Sequence, residues 1–248
     1  MIEIKNLKSG FGKTEVLHGV SFDIERGKLT SVIGPNGSGK STLLKTVIGI
    51  IRADSGEILI DGESSDNLSS KELAKRVAYL PQTKRTPDMT VYQAVLHGRF
   101  PHLGYPRKYS EKDRETAKAA MVAAGVSELA DRRMDTLSGG MKQSVFVAMA
   151  LAQDTYYILL DEPTSHLDIS HQIELMKLLK GLAKDGRGIV AVMHDLPLAF
   201  AYSDEIVVID DGHIAASGTP EEIVGSGVVE RVFGAEIIQS ECGYLVKM

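Results

Sequence analysis

The residues best suited to chemistry form a glycine-rich segment near the N-terminus, residues 34–42, which fits the pattern G-x-x-x-x-G-K-[ST]. The segment consists of Gly34, Pro35, Asn36, Gly37, Ser38, Gly39, Lys40, Ser41 and Thr42. Glycines let the backbone curl until successive N–H groups face one anion, and a helix that begins near Lys40 adds the positive end of its dipole. Lys40 can reach the outer phosphates of a nucleotide, and the Ser41 hydroxyl can ligate Mg²⁺. The pattern predicts a site for a nucleoside polyphosphate rather than a glycine-rich turn with an exposed lysine.

Two carboxylates follow an apolar segment later in the chain. Residues 157–160 are apolar, and Asp161 and Glu162 come directly after them. Such a segment is typical of a strand buried in a parallel sheet, whose C-terminal end faces the crevice where ligands bind. Asp161 would hold Mg²⁺, directly or through water, while Glu162 points elsewhere and could polarise the water that attacks the γ-phosphate. Without other motifs, Asp161 and Glu162 could be two solvated charges at the end of a strand. Because the same sequence contains the phosphate loop, the catalytic interpretation is favoured.

Alternating strands and helices are predicted to position these residues. Residues 29–33 form a short apolar strand that leads into the phosphate loop. The other predicted strands are residues 57–60, 77–80, 157–160, 188–193, 204–209 and 213–217. The predicted helices are residues 43–51, a short helix opened by the capping-box spacing of Ser69 and Glu72, and residues 138–152 and 170–183. This order implies an α/β fold with a mostly parallel sheet and helices on both faces, and early apolar alternation suggests an added antiparallel layer.

A region of different character interrupts this pattern. Prolines break up the segment that begins near residue 81, and a second capping-box spacing, Ser110 to Asp113, opens an alanine-rich helix that runs to about residue 124. We interpret residues 83–154 as a helical subdomain inserted into one domain that covers residues 1–248. The core with its antiparallel layer then comprises about residues 1–82 and 155–248. The tail, residues 236–248, matches no pattern that we can interpret; a closing strand and a regulatory contact are both open.

The composition excludes several classes of protein. The net charge of −5 argues against binding nucleic acid by bulk electrostatics, so we expect no nucleic-acid partner. Cys242 is the sole cysteine, which excludes an internal disulfide, favours a reducing compartment and indicates an inert thiol. Residues 1–10 show no apolar run behind a basic start, and no apolar stretch reaches about 18 residues. We therefore expect no secretory signal and no membrane span, so other chains would have to supply any pore.

Five further features, taken in order, resemble the ATP-binding-cassette (ABC) ATPases. Residues 137–141, Leu-Ser-Gly-Gly-Met, resemble that family's signature motif, and residues 161–168 resemble its Walker B and D-loop segment. Gln82 stands where the family has its Q-loop glutamine, His194 where it has the switch histidine, and Phe11 where an aromatic ring stacks on adenine. The resemblance covers nearly the whole chain and implies a P-loop NTPase core.

The resemblance also assigns roles to individual residues. It implies that ATP is the substrate and Mg²⁺ the cofactor, with Lys40, Glu162 and His194 catalytic. The metal would be held by Ser41, Gln82 and Asp161. The implied nucleotide-binding residues are Phe11, Val16, residues 34–42, Gln82, Ser138, Gly139 and Gly140.

A second copy of the chain is implied as a partner. Ser138 is a good N-cap, and the two glycines after it open a helix start to close approach by an anion. In the family, two chains associate head to tail, and each signature closes over the ATP of the other. His166 would lie at the dimer contact. Two positions depart from the family pattern: Met141 stands where Gln or Glu is usual, which removes polar contacts, and Ser144 replaces a frequent Arg.

Three stretches narrow the resemblance to importers of iron chelates, haem and cobalamin: residues 96–102, 148–154 and 167–172. This implies a peripheral ATPase at the cytoplasmic face of the inner cell membrane. Its partners would be integral membrane permease subunits and, indirectly, a periplasmic or surface substrate-binding protein. Arg99 and His102 lie in the insert that presents the permease groove in such transporters, and are alternatively a solvated basic surface. Relatives that import molybdate, tungstate or another oxyanion remain an alternative.

Two other classes of protein are less consistent with the sequence. Soluble ABC proteins that act on ribosomes or DNA carry two cassettes in one chain or a long coiled-coil insert, and this chain has neither. A small-molecule kinase built on the same phosphate loop would lack the signature at Ser138–Gly140 and the histidine at position 194.

Overall fold

The computed structural model describes residues 1–12, 14–82, 86–165, 167–240 and 243–247, with the side chains of residues 239 and 240 left out. His166 and Cys242, for which the sequence predicts a dimer contact and an inert thiol, lie outside the described residues. The strands are β1 Ile2–Phe11, β2 Thr14–Ile24, β3 Leu29–Ile33, β4 Ala53–Ile60, β5 Glu63–Ser64, β6 Val77–Leu80, β7 Tyr157–Asp161, β8 Gly188–Val192, β9 Glu205–Asp210, β10 His213–Gly218, β11 Glu236–Ser240 and β12 Gly243–Lys247. The α-helices are α1 Lys40–Val47, α2 Ser70–Arg76, α3 Val91–His97, α4 Glu111–Ala123, α5 Gly139–Ala152, α6 Ile169–Lys184, α7 Leu196–Tyr202, α8 Pro220–Gly225 and α9 Val228–Phe233.

The central sheet positions the chemistry-bearing residues. Within the described residues it has six strands in the order β10-β9-β3-β8-β7-β6, and all neighbours are parallel except β10 and β9. Every residue of β3, β7 and β8 is buried, as expected for strands covered on both faces. Because β3, β6, β7 and β8 run in the same direction, their C-terminal ends meet at one edge of the sheet.

Each face of this sheet is covered by a different layer. One face packs against α1 and an antiparallel sheet of order β2-β1-β4-β5. The other face packs against α5, α6 and α7, and that apolar core continues into α3 and α4. The predicted α/β class, with helices on both faces and an added antiparallel layer, is confirmed.

Several predicted elements are confirmed, and a few boundaries differ. Both predicted capping boxes are present: Ser69 with Glu72 opens α2, and Ser110 with Asp113 opens α4. The first helix spans 40–47 rather than 43–51, because Gly49 has a φ of 72°, in the left-handed region that ends helices. Helices α3, α7, α8 and α9 were not individually predicted. The uninterpreted tail contains the hairpin β11–β12, which packs its Ile237 into the core.

Arg99 is not a surface residue. It is 5% exposed, and its Nε donates to Asp113 Oδ1 at 3.0 Å while Nη1 donates to the Ala152 carbonyl oxygen at 3.0 Å. The guanidinium therefore joins α4 to the C-terminal end of α5. Both sequence-based interpretations of Arg99, a permease contact and a solvated basic surface, are wrong for this residue. His102 is partly buried, with Nε2 2.8 Å from the Gln153 carbonyl oxygen.

The Arg99–Asp113 pair yields a stability prediction. Burial raises the pKa of Asp113, but hydrogen bonds from Ser110 and Arg99 outweigh it and lower the pKa to about 2. We expect Asp113→Asn to reduce the free energy of unfolding at pH 7 by about 3 kcal/mol, because the buried guanidinium loses its nearest carboxylate and keeps only Asp154, 4.0 Å away and largely exposed.

Urea denaturation of the wild-type protein and the variant would measure this loss, with Glu111→Gln in the same helical turn as the control. A group whose pKa is lowered by folding stabilises above its unfolded pKa and loses that effect as the pH falls. The difference between wild type and Asp113→Asn should therefore shrink between pH 3.8 and about 2, the ordinary and folded pKa values of Asp113. A loss below 1 kcal/mol at pH 7, or a loss independent of pH, would contradict this account (about 1.4 kcal/mol corresponds to one pKa unit).

Candidate nucleotide-binding site

The loop between β3 and α1 depends on glycine at two positions. Gly39 precedes α1 with a φ of 102°, and a Cβ there would come within 2.8 Å of the Leu17 side chain. At Gly34 a Cβ would lie only 2.1 Å from the Ile209 carbonyl oxygen. Side chains at either position would push the loop away from β2 or β9. Glycine therefore keeps the loop seated at the sheet edge, with the N-terminus of α1 directly behind it.

Lys40 is held inside this loop. It is 6% exposed, and its ammonium donates to the carbonyl oxygens of Gly34 at 2.8 Å and Pro35 at 2.7 Å. Burial lowers the pKa of Lys40, and the carboxylates of Glu162 and Asp161 act in the opposite direction. The lysine is thus a cation placed among the loop carbonyls, close to both acidic residues.

Asp161 is fixed by two hydroxyl groups. The Ser41 hydroxyl donates to Oδ1 at 2.8 Å, and the Tyr79 hydroxyl donates to Oδ2 at 3.3 Å. The carboxylate is 1% exposed. Burial, and then the charge of Asp161, raise the pKa of Tyr79, so its hydroxyl remains a donor at neutral pH.

The donor set around Asp161 suits Mg²⁺. The serine hydroxyl and the carboxylate are hard oxygen ligands, which magnesium prefers, and the Gln82 side chain lies in the adjoining cleft. Among the described residues, no group of three or more His, Cys, Asp or Glu side chains could hold a metal alone. Ser41, Gln82 and Asp161 would therefore share the ion with water and phosphate oxygens, which is the usual coordination of Mg²⁺ beside nucleotides.

Glu162 is turned away from Asp161 by its backbone. Its φ of 51° lies in the left-handed region, which costs a non-glycine residue free energy and is common at functional sites. The turn brings Glu162 Oε1 within 2.7 Å of His194 Nε2, and the Ser165 hydroxyl donates to Oε2 at 3.1 Å. Burial raises the pKa of Glu162, but His194, Ser165 and Gln82 outweigh it and lower the pKa overall. Glu162 is thus a carboxylate at neutral pH, as a general base must be.

An open cleft brings most of the predicted site residues together. It is lined by Phe11, Val16, Asn36, Gly37, Gly39, Lys40, Ser41, Thr42, Gln82, Glu162 and His194. Phe11 is more than half exposed at one end, as a ring available for stacking would be. Of the other loop residues, Gly34 and Pro35 accept hydrogen bonds from Lys40 through their carbonyl oxygens, and Ser38 is buried. Asp161 lies beneath Ser41 at the sheet edge.

The residues of the signature motif lie elsewhere. Ser138 is the N-cap of α5, its hydroxyl accepting from the Met141 N–H at 3.3 Å. Ser138 and Gly139 are exposed, and Gly140 is partly so. In the part of the chain that the structure describes, the cleft lining does not include Ser138, Gly139 or Gly140. One chain therefore offers a phosphate loop in the cleft and an exposed helix N-terminus outside the described lining of that cleft.

Two residues that support the site were not predicted from the sequence. Tyr79 holds Asp161, and Ser165 holds Glu162. A tyrosine within a buried strand was the one available signal, since its hydroxyl needs a partner there. Its reach to Asp161 depends on the pairing of β6 with β7, which a single sequence does not reveal.

Comparison with known proteins places the chain among transport ATP-binding proteins. Residues 17–165 match the family described as ABC transporter. Petrobactin import ATP-binding protein FpuD of Bacillus anthracis is 43% identical over 237 residues, covering 95% of this chain and 87% of that protein. Ferric enterobactin transport ATP-binding protein FepC of Escherichia coli (strain K12) is 43% identical over 232 residues, covering 93% and 86%.

A solved structure supports the same likeness. The dimeric structure of MJ0796, a bacterial ABC transporter cassette, is 30% identical and superposes with a TM-score of 0.78, covering 89% of this chain and 99% of that one. The similarity thus extends over most of this chain.

Proposed function

Since this chain belongs to the ABC transporter family and is an ATPase, we propose that it is the ATP-hydrolysing subunit of an importer. The observation that carries the proposal is the convergence of Lys40, the Ser41–Asp161 pair and the Glu162–His194 pair at one edge of the central sheet. These groups supply a cation for phosphates, oxygen ligands for Mg²⁺ and a carboxylate beside the reacting centre.

The residues of the cleft divide this work. Phe11 stacks on adenine with Val16 beside it. The phosphates are bound by Lys40 and by the backbone N–H groups of residues 34–42 other than Pro35. Bound Mg²⁺, held through Ser41, Gln82 and Asp161, supplies charge neutralisation at the phosphates. Glu162 orients and deprotonates the attacking water. His194, 2.7 Å from Glu162, holds that carboxylate in place.

A second copy completes the site. The exposed N-terminus of α5 offers backbone N–H groups and the positive end of a 14-residue helix dipole. Because the cleft of the same chain does not include it among its described lining residues, it is free to close over the phosphates of a partner. The dimeric state of the MJ0796 cassette structure supports association of two copies. Two chains related by a two-fold axis then form two equivalent composite sites.

The cargo is a metal chelate: an iron-siderophore, haem or cobalamin. The names of FpuD and FepC, which concern petrobactin and ferric enterobactin, support iron-siderophore complexes first. No helix among the described residues has the length and apolarity needed to cross a membrane. We propose that the chain works peripherally at the cytoplasmic face of the inner membrane, with permease subunits and, indirectly, a substrate-binding protein. ATP-dependent uptake of a ferric chelate into vesicles carrying the assembled complex would support this cargo, and uptake of molybdate alone would refute it.

A groove beside α2 is suited to the permease. It is lined by Ser70, Lys71, Ala74, Phe100, Pro101, Leu103 and Arg107. Phe100 is 42% exposed and the nearby Tyr105 is 99% exposed, so the apolar floor and rim are open to solvent. Lys71 and Arg107 add positive charge at the edge. We refer to these seven lining residues as the docking groove, and it suits an apolar permease segment that carries an acidic residue.

Substitution in this groove tests the permease contact. We expect Phe100→Glu to lower recovery of the permease with this subunit from detergent-solubilised membranes by at least about tenfold. The substitution removes an exposed apolar ring and places a carboxylate beside Arg107, where it would compete with the acidic residue of the permease. Val122→Glu is the matched control, since Val122 is 70% exposed on α4 outside the groove. Equal recovery of the permease by both variants would contradict this assignment of the groove.

A further inference from the structure

A second cleft borders α2 beside the docking groove. Its lining consists of Ile48, Ser70, Leu73, Ala74, Val77, Tyr79 and Gln153. Ser70 and Ala74 also line the docking groove, so the two depressions share one wall, formed by α2. A segment that fills the docking groove therefore contacts the same helix that borders Tyr79.

Tyr79 connects this cleft with the metal-binding carboxylate. Its ring lines the cleft, while its hydroxyl donates to Asp161 Oδ2 at 3.3 Å. In the parallel pairing of β6 with β7, Tyr79 lies opposite Leu159. Asp161 is two residues further along β7, and residues two apart in a strand point to the same face, so the Tyr79 hydroxyl can reach Asp161. The other carboxylate oxygen, Oδ1, accepts from Ser41. Tyr79 thus sets the plane of the carboxylate and leaves Oδ1 for the metal side.

Gln153 ties α2 to the strand that carries Tyr79. Its side-chain amide donates to the carbonyl oxygen of Ala74 at 2.5 Å and to that of Val77 at 3.1 Å. Ala74 lies in α2, and Val77 is the first residue of β6. Because Val77 directly follows Arg76, the last residue of α2, a displacement of α2 is passed to β6 through the backbone, and Gln153 holds the two sides of this junction together. Contiguous packing of this kind carries coupling between sites.

We propose that Tyr79 is a positioning residue that couples occupancy of the docking groove to Asp161 and thereby to Mg²⁺ affinity. The inference rests on the proposed function of the docking groove as the permease contact. When a permease segment presses on α2, Gln153 and the shared wall shift Tyr79, and its hydroxyl changes the orientation of the Asp161 carboxylate. The metal site then responds to the permease without any contact between the two.

Removal of one hydroxyl tests the first half of this coupling. Tyr79→Phe keeps the ring in the cleft and deletes only the donor to Asp161. With ATP present, the affinity of the isolated subunit for Mn²⁺, measured by electron paramagnetic resonance, is expected to fall about three- to tenfold, as loss of one long hydrogen bond to a charged group predicts. ATP affinity without metal should stay within about twofold, since Tyr79 is not a cleft-lining residue of the nucleotide site.

Tyr244→Phe is the matched control, because Tyr244 lies in the C-terminal hairpin and its hydroxyl donates to Glu221 at 3.2 Å. Its Mn²⁺ affinity should equal that of the wild-type protein. If Tyr79→Phe binds Mn²⁺ as tightly as this control or more tightly, the proposal is overturned.

The assembled complex tests the second half. In the wild-type protein, permease binding is expected to change Mn²⁺ affinity by more than twofold, and reciprocity requires that metal binding changes permease affinity by the same factor. In Tyr79→Phe the permease should still co-purify, while its effect on Mn²⁺ affinity should disappear. An unchanged permease effect in this variant overturns the coupling and leaves the proposed function standing. Failure of the wild-type protein to bind any permease overturns the proposed function and the coupling with it.

Discussion

Glu162→Gln is expected to slow ATP hydrolysis by a factor of about 10² to 10⁴, the contribution typical of a positioned general base. The substitution keeps the size of the side chain and a carbonyl oxygen beside His194 and Ser165. It removes the negative charge that accepts the proton of the attacking water. Because the pKa of Glu162 is lowered by its hydrogen bonds, the wild-type side chain is already ionised at neutral pH. The slower hydrolysis in the variant would therefore reflect the loss of a general base.

Phosphate release in a single turnover, at saturating ATP and Mg²⁺, measures this effect without interference from product release. Glu174→Gln is the matched control, since Glu174 is an exposed glutamate on α6 that does not line the nucleotide cleft. Its rate should equal that of the wild-type protein. A loss of less than about tenfold in Glu162→Gln would mean that another group activates the water.

Lys40→Ala is expected to weaken ATP binding by at least about a hundredfold. A lysine that donates two hydrogen bonds to phosphate oxygens contributes about 1.5 to 3 kcal/mol through each, and every 1.4 kcal/mol is tenfold in affinity. Lys40 already lies in the loop with its ammonium on the carbonyl oxygens of Gly34 and Pro35, so only a short movement of its side chain is needed.

Calorimetric titration with ATP and with adenosine separates loss of phosphate contacts from loss of loop structure. Adenosine contacts only the base and sugar part of the cleft, so its affinity should be the same in Lys40→Ala and the wild-type protein. Lys45→Ala, in the last turn of the same helix and absent from the cleft lining, should bind both ligands normally. Equal weakening of ATP and adenosine binding in Lys40→Ala would indicate that the lysine maintains the loop rather than the phosphates.

Much of the fold could be predicted because its signals are local. The apolar runs of β3, β7 and β8 indicate buried parallel strands, and the two capping boxes mark the starts of α2 and α4. Each depends on residues within one turn or one strand. The tail gave no such signal, because β11 and β12 lack the continuous apolar run of the buried strands. They pair with each other and pack against α9 and α7, which are long-range contacts that a local pattern does not reveal.

Parts of the site could be predicted because a rule of sheet topology brings residues together that are far apart in the sequence. Ser41 and Asp161 are 120 residues apart, yet both follow parallel strands, whose C-terminal ends meet by geometry. No comparable rule predicts the hydrogen-bond partners of Arg99 and Tyr79. The sequence shows Arg99 as one more cation in a polar insert, whereas the fold buries it against Asp113 and the end of α5. Tyr79 lies within an apolar run of the sequence, and its hydrogen bond to Asp161 depends on which strand lies beside β6.

We propose that this nucleotide site is one half of a site that a second copy of the chain completes. The mass of the Glu162→Gln variant in solution tests this proposal most directly. This variant is expected to bind ATP and to hydrolyse it about 10² to 10⁴ times more slowly than the wild-type protein, so a closed dimer should accumulate. Sedimentation at saturating ATP and Mg²⁺ is expected to give twice the mass of one chain, and a single chain when ATP is omitted. A monomer that persists with saturating ATP and Mg²⁺ would contradict the account.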